Sequence, residues 1–146
     1  MDPLSVAASI AGLLTAAGEV GKFLGPYISA AHETPKIAAQ VYAEVRATTI
    51  ILSALQQLSQ NLGSVPAKYA TLVTLDQVIA VLTDGVLLYS ELEASLSSLP
   101  SEPPGTKPSL QSRLRWARKE PVFVGVLTRL QGFKGSITLI LSILQR

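Results

Sequence analysis

The sequence has no cysteine and a single histidine, His32. The first absence excludes a disulfide framework and thiolate zinc sites, and makes an intracellular compartment the simplest expectation. The second leaves little for a metal ion: beside His32 stands Glu33, with no second strong ligand at a fixed helical offset, and no metal is expected. Aromatic residues are only 5% of the chain, too few for base stacking, and the basic segment is short, so nucleic acid is not an expected partner. Charge is scarce as well, 15% against the ~25% usual in soluble proteins. With hydrophobic residues at 48%, the surface must therefore carry many Ser, Thr, Gln, Gly and Ala. The 146 residues fit one domain, 1–146, long enough to bury a core without staples.

Catalytic patterns are missing too. There is no Gly-x-Ser-x-Gly elbow and no marked pairing of a nucleophile with a base. Gly21-Lys22 superficially resembles a phosphate loop, but Ala16 occupies its first glycine position, Phe23 its Ser/Thr position, and no strand precedes it. Neither an enzyme nor a cofactor is expected. A secretory signal needs positive charge ahead of its apolar core; here the first cation is Lys22, and Asp2 has the wrong sign. Glu19 and Lys22 interrupt the first apolar run, and Gln56, Gln57, Gln60 and Asn61 dilute the uncharged stretch 47–67, so a resident membrane span is not expected.

What is present begins at the first residue. From Met1 to Gly18 the only charge is Asp2, a plausible N-cap placed before Pro3 at a first helical position. On a helix, Val6, Ile10, Leu13, Ala17, Val20, Leu24 and Ile28 fall on one stripe. Ser5, Ser9, Gly12, Thr15, Gly18, Glu19 and Lys22 form the other face, polar only through small side chains. Such a segment docks on a core, lines a helix contact, or enters lipid. Gly21-x-x-x-Gly25, extended back to Ala17, is a small-residue ladder that in lipid lets helices approach closely.

The rest reads as long helices. Gly25 and Pro26 are expected to end or kink the first. A second starts after Thr34-Pro35 and runs to about Asn61, with Gly63 as stop signal; Glu44 intrudes on its stripe and is expected at the edge or paired with an Arg. A third starts near Pro66 with Leu72, Leu75, Ile79, Leu82, Val86, Tyr89 and Leu96 on its apolar face, and Gly85 permits a close helix contact. Ser98–Pro108 holds four prolines and reads as an exposed loop. A fourth opens at Ser109, with Pro121 forcing Glu120 from helical angles or kinking the helix; Phe123, Leu127, Leu130, Ile137, Leu141 and Leu144 then resume the spacing. The expected fold is all-α, a helical bundle of four main helices with the N-terminal apolar helix as an added element.

The net charge of +2 hides an asymmetry. Residues 1–100 hold four Lys/Arg against eight Asp/Glu, net −4, and residues 101–146 hold eight against two, net +6. Arg113, Arg115, Arg118 and Lys119 concentrate the positive charge around Trp116; the simple expectation is a buried Trp flanked by solvated or internally paired cations.

The opening Met1-Asp2-Pro3-Leu4-Ser5-Val6-Ala7-Ala8-Ser9-Ile10-Ala11-Gly12-Leu13 resembles the start of the HeLo-like domains that head fungal NOD-like receptors and related cell-death proteins. Arg113-Leu114-Arg115-Trp116-Ala117 and Lys134-Gly135-Ser136-Ile137-Thr138-Leu139-Ile140-Leu141 resemble the end of that domain. Pro121 departs from its more continuous charged helix. The resemblance implies a cytoplasmic death-execution domain of fungal innate immunity and heterokaryon incompatibility. On activation it forms a homo-oligomer, moves to the plasma membrane and permeabilises it. It also implies a flanking nucleotide-binding or amyloid-motif module, which these 146 residues do not contain. On this reading Leu4, Val6, Ile10, Leu13, Leu14, Val20, Phe23 and Leu24 enter lipid. Gly12, Ala17, Gly18, Gly21 and Gly25 pack the inserted helices. Lys22, Arg113, Arg115, Arg118 and Lys119 meet anionic lipid headgroups. The alternative is a soluble homotypic adaptor that recruits an effector through helix–helix contacts.

Overall fold

The described residues of the computed structural model are 3–29, 36–61, 69–99 and 110–144, with side chains described at 6–25, 36–58, 76–99 and 114–143. Among them are four α-helices and no strand: α1 (Pro3–Ser29), α2 (Lys36–Asn61), α3 (Tyr69–Ser97) and α4 (Leu110–Leu144). The fold is the expected all-α bundle, and the apolar N-terminal helix is its first member. The capping types Asp2, Thr34 and Ser109, together with His32 and residues 100–108 of the proline-rich stretch, lie outside the described residues.

Two prolines fail to break helices. Pro26 is followed by a further helical turn to Ser29, and α4 runs unbroken through Pro121. Glu120 therefore keeps helical angles, against the arm of the expectation in which it leaves them. The physical reason is solvent access: a helical proline orphans the carbonyl four residues earlier, here that of Ala117, and both Ala117 and Pro121 are exposed, so water takes the lost bond. At the end of α3 the chain does turn. The Leu99 N–H donates to the Leu96 carbonyl at 3.0 Å, and the Leu99 side chain tucks into the core.

Each helix contributes residues three and four apart. Val6, Ile10, Leu13, Ala17, Val20 and Leu24 of α1 are all buried, as their spacing requires, and Val41, Val45, Thr48, Leu52 and Leu55 form the buried line of α2, which packs on α1 and α4. Thr48 is tolerated there because its hydroxyl donates to the Glu44 carbonyl at 2.7 Å. In α3 the buried line is Val78, Leu82, Gly85, Tyr89, Leu92 and Leu96, so Val86 faces out, not in as its sequence pattern suggests. Trp116, Phe123, Val126, Leu130, Phe133, Ile137 and Ile140 are the inner line of α4, with Trp116 stacked at a tilt on Phe123, centroids 4.9 Å apart.

Packing closes a square. α1 lies against α2 and α3, and α4 lies against the same two, so α1 and α4 occupy opposite corners. α3 and α4 run antiparallel: rising from Gly85 through Glu91 to Ser98, their partners descend from Phe133 through Arg129 to Lys119. The expected close contact at Gly85 is real. A Cβ built there meets the Phe133 ring at 2.5 and 2.6 Å, and that ring is held edge-on by Tyr89 at 6.2 Å.

Candidate membrane-active helix

α1 differs from its neighbours in how it is attached. Its side-chain polar contacts among the described residues close on itself: Thr15 Oγ1 donates to the Ala11 carbonyl at 2.9 Å, and Lys22 Nζ lies 3.5 Å from Glu19 Oε1 on the exposed face. The other helices are tied across. Lys134 of α4 donates to Glu44 Oε1 of α2 at 3.1 Å and sits 2.8 Å from Oε2, in a setting where both side chains are mostly buried. Arg129 of α4 pairs with Glu91 of α3, and Lys119 of α4 donates to the Ser98 hydroxyl. Glu44 thus has an ionic partner as expected, a lysine in place of an arginine.

Among the described residues, apolar contact is therefore what holds α1 to its neighbours. Val6, Ile10, Leu13, Val20 and Leu24 each contribute about 1.5–3 kcal/mol on burial, an upper estimate because the unfolded chain already hides some surface. Leu14 and Phe23 add a half-buried margin. That attraction is non-directional. Hydrocarbon returns a similar amount for the same side chains, whereas an ion pair or a buried hydrogen bond would have no substitute there.

The glycines of α1 supply a second difference. Gly12 and Gly18 are exposed, Gly21 and Gly25 half-exposed, and a Cβ built on any of them meets nothing within 4 Å. Each destabilises the helix by roughly 0.5–1 kcal/mol relative to alanine. The bundle obtains no packing in return, in contrast with Gly85. Ala17, the remaining member of the ladder, points into the core.

Val6–Gly25 is the one segment among the described residues long and apolar enough to cross a membrane by length and composition. Its 20 residues extend about 30 Å, the thickness of a bilayer's hydrocarbon layer. Glu19 and Lys22 lie near one end of it, where a charged pair reaches the interface.

The cations do not form one surface. Arg115 and Arg118 are exposed on α4 with no ion-pair partner among the described residues, Lys119 is half-buried and bonded to Ser98, and Lys22 stands on α1 at the opposite corner. The side chains of Leu4 and Arg113 lie outside those described.

Sequence reasoning missed several features: the outward apolar residues of α4, the Gly85–Phe133 contact partner, and a groove of about 430 Å³ between α1 and α3. Tyr89 lines that groove; its hydroxyl is buried without a hydrogen-bond partner, and burial pushes its ionisation well above the usual phenol range. Tyr89 faces inward as expected, and the heptad register of α3 counted from Val78 was the available signal for Val86 facing outward. Comparisons with protein-family models, with curated proteins and with solved structures return no match.

Proposed function

We propose that this domain is a membrane-permeabilising execution module of the HeLo-like kind. In the stored state α1 is packed in the bundle, and clustering of copies favours its transfer into lipid. The observation that carries the reading is the attachment of α1: a bilayer-length helix held, among the described residues, by apolar packing, with four glycines facing open space where an added Cβ would meet nothing. Glycines on that face let inserted helices pack closely, which gives them a role the folded monomer lacks.

Transfer of a single α1 is close to balanced, since lipid and core solvate the same stripe. Association supplies the bias, because tethered copies raise one another's effective concentration and the inserted state is the one whose glycine faces can pair. Arg115, without an ion-pair partner among the described residues, favours an anionic surface by roughly 1 kcal/mol.

The test is dye release from anionic vesicles by the domain fused to an inducible dimeriser, with hydrogen exchange of α1 followed in parallel. Expected is release only after clustering, accompanied by a change in exchange of α1 apart from α2–α4. Retention of the dye by clustered, vesicle-bound protein, with α1 as protected as in solution, overturns the proposal.

A further inference from the structure

Charge and exposed apolar surface are divided between two corners of the bundle. α3 carries four acids, Asp76, Asp84, Glu91 and Glu93, and no Lys or Arg. α4 carries six cations against the single acid Glu120, net +5. Internal pairing consumes Glu91 with Arg129, Lys119 with Ser98 and Lys134 with Glu44. What remains without a partner among the described residues is acidic on α3, including Asp84 and Glu93, and basic on α4, Arg115 and Arg118.

Apart from Ile50 on α2, the large apolar side chains left in water among the described residues lie on the same two helices. On α3 they are Val86 and Leu87, 42% and 59% exposed; on α4 they include Leu114 and Val122, 53% and 50% exposed. Leu114, Arg118 and Val122 fall four apart and make one ridge on the outer side of α4. Val86 and Glu93, seven apart, edge the groove between α3 and α1, whose α1 wall is kept low by Ser9 and Gly12. One surface is a ridge with an apolar–cation–apolar order. The other is a shallow trough with an apolar residue and a carboxylate along its rim.

From this we infer a head-to-tail contact between copies of the chain, in which the Leu114–Arg118–Val122 ridge of one copy enters the α1–α3 groove of the next, with Arg118 paired to Glu93. An anionic bilayer is the competing occupant for the ridge, but it leaves the acidic rim and Val86 unsatisfied. A second copy satisfies both surfaces at once. Ridge and groove are different surfaces and each copy presents one of each, so the inferred contact repeats from copy to copy into a ring or filament; a reciprocal two-fold pair, the other arrangement of the same two surfaces, would stop at dimers. The inference rests on the proposed activation by clustering and identifies the surface through which clustered copies meet. It is tested without lipid, so that its failure is distinguishable from a failure of α1 insertion.

The chain's lack of cysteine makes cross-linking clean. Val86→Cys and Val122→Cys, both at exposed positions, are introduced together or singly, folding is checked by circular dichroism, and the concentrated protein is treated with a short bis-maleimide. The double variant is expected to give a ladder of dimers, trimers and higher species. A mixture of the two single variants gives dimers only, and each single variant alone stays monomeric, as does a control with Ile50→Cys. Within the double-cysteine chain, Glu93→Arg or Arg118→Glu lowers ladder yield about tenfold or more through like-charge contact, and the two reversals combined restore it. Dimers from one single variant, indicating a symmetric contact, overturn the inference. So does a folded double variant that remains monomeric or stops at dimers, or Arg118→Glu that abolishes binding to anionic vesicles while leaving the ladder intact.

Discussion

Thr15 stands at the midpoint of Val6–Gly25 yet lies on the solvent side of α1, where its hydroxyl bonds back to the Ala11 carbonyl. Thr15→Arg therefore separates the two states of the helix. In the bundle the change replaces an exposed threonine by a better helix former, and stability moves by no more than about 0.5 kcal/mol. In an inserted helix it places a guanidinium at the bilayer centre, a penalty of about 2.5–3.5 kcal/mol on the insertion scale. At 1.4 kcal/mol per decade the inserted population falls roughly 60- to 300-fold. The assay is the rate of dye release from anionic vesicles by the clustered domain, with thermal melting of the same preparation as the folding control. Thr15→Val should release dye at least as fast as the native chain, and Ile50→Arg, an exposed change on α2, should leave release unaltered. A Thr15→Arg protein with native melting temperature and native release would refute the reasoning, since no span centred on residue 15 tolerates that charge at no cost.

Three stability predictions probe the bundle that stores α1. Gly132→Ala meets open space and should stabilise by about 0.5–1 kcal/mol through helix propensity, whereas Gly85→Ala drives a methyl into Phe133, an overpacking of about 1–3 kcal/mol that outweighs the same gain; thermal melting should rise in the first and fall in the second. Lys134→Met strips the mostly buried Glu44 carboxylate of its partner and should cost about 1.5–3 kcal/mol in urea titration, with the double change Glu44→Leu, Lys134→Met recovering most of it. Pro121→Ala returns a backbone donor to the Ala117 carbonyl on an exposed face and should stabilise by about 1–3 kcal/mol, raising the melting temperature by roughly 2–4 °C per kcal/mol.

Apolar spacing by itself determined the helical class, the inner line of α1 from Val6 to Leu24, and most of α2, because a stripe recurring at three and four has one way to leave water. It also identified Gly85 as a contact point and Trp116 as buried. In α3 and α4 it was less decisive. Both helices carry apolar residues around most of their circumference, so the pattern admits more than one inward face. Tyr89, Phe123, Leu130 and Ile137 stood on the expected apolar lines, but packing at the corners of the square turned Val86 outward and gave Val126, Phe133 and Ile140 the inner places expected of Leu127 and Leu141. The same arrangement decided which charges found partners. Glu44 and Lys134, ninety positions apart, meet because α2 and α4 are adjacent, while Lys22 and Arg118 stay on opposite corners. Solvent exposure at Ala117 and Pro121 is what allowed α4 to continue past a residue that local rules treat as a break. Periodicity is a property of one helix and is legible along the chain. The choice among its faces belongs to the pairwise packing of helices, and there the tertiary structure had the deciding part.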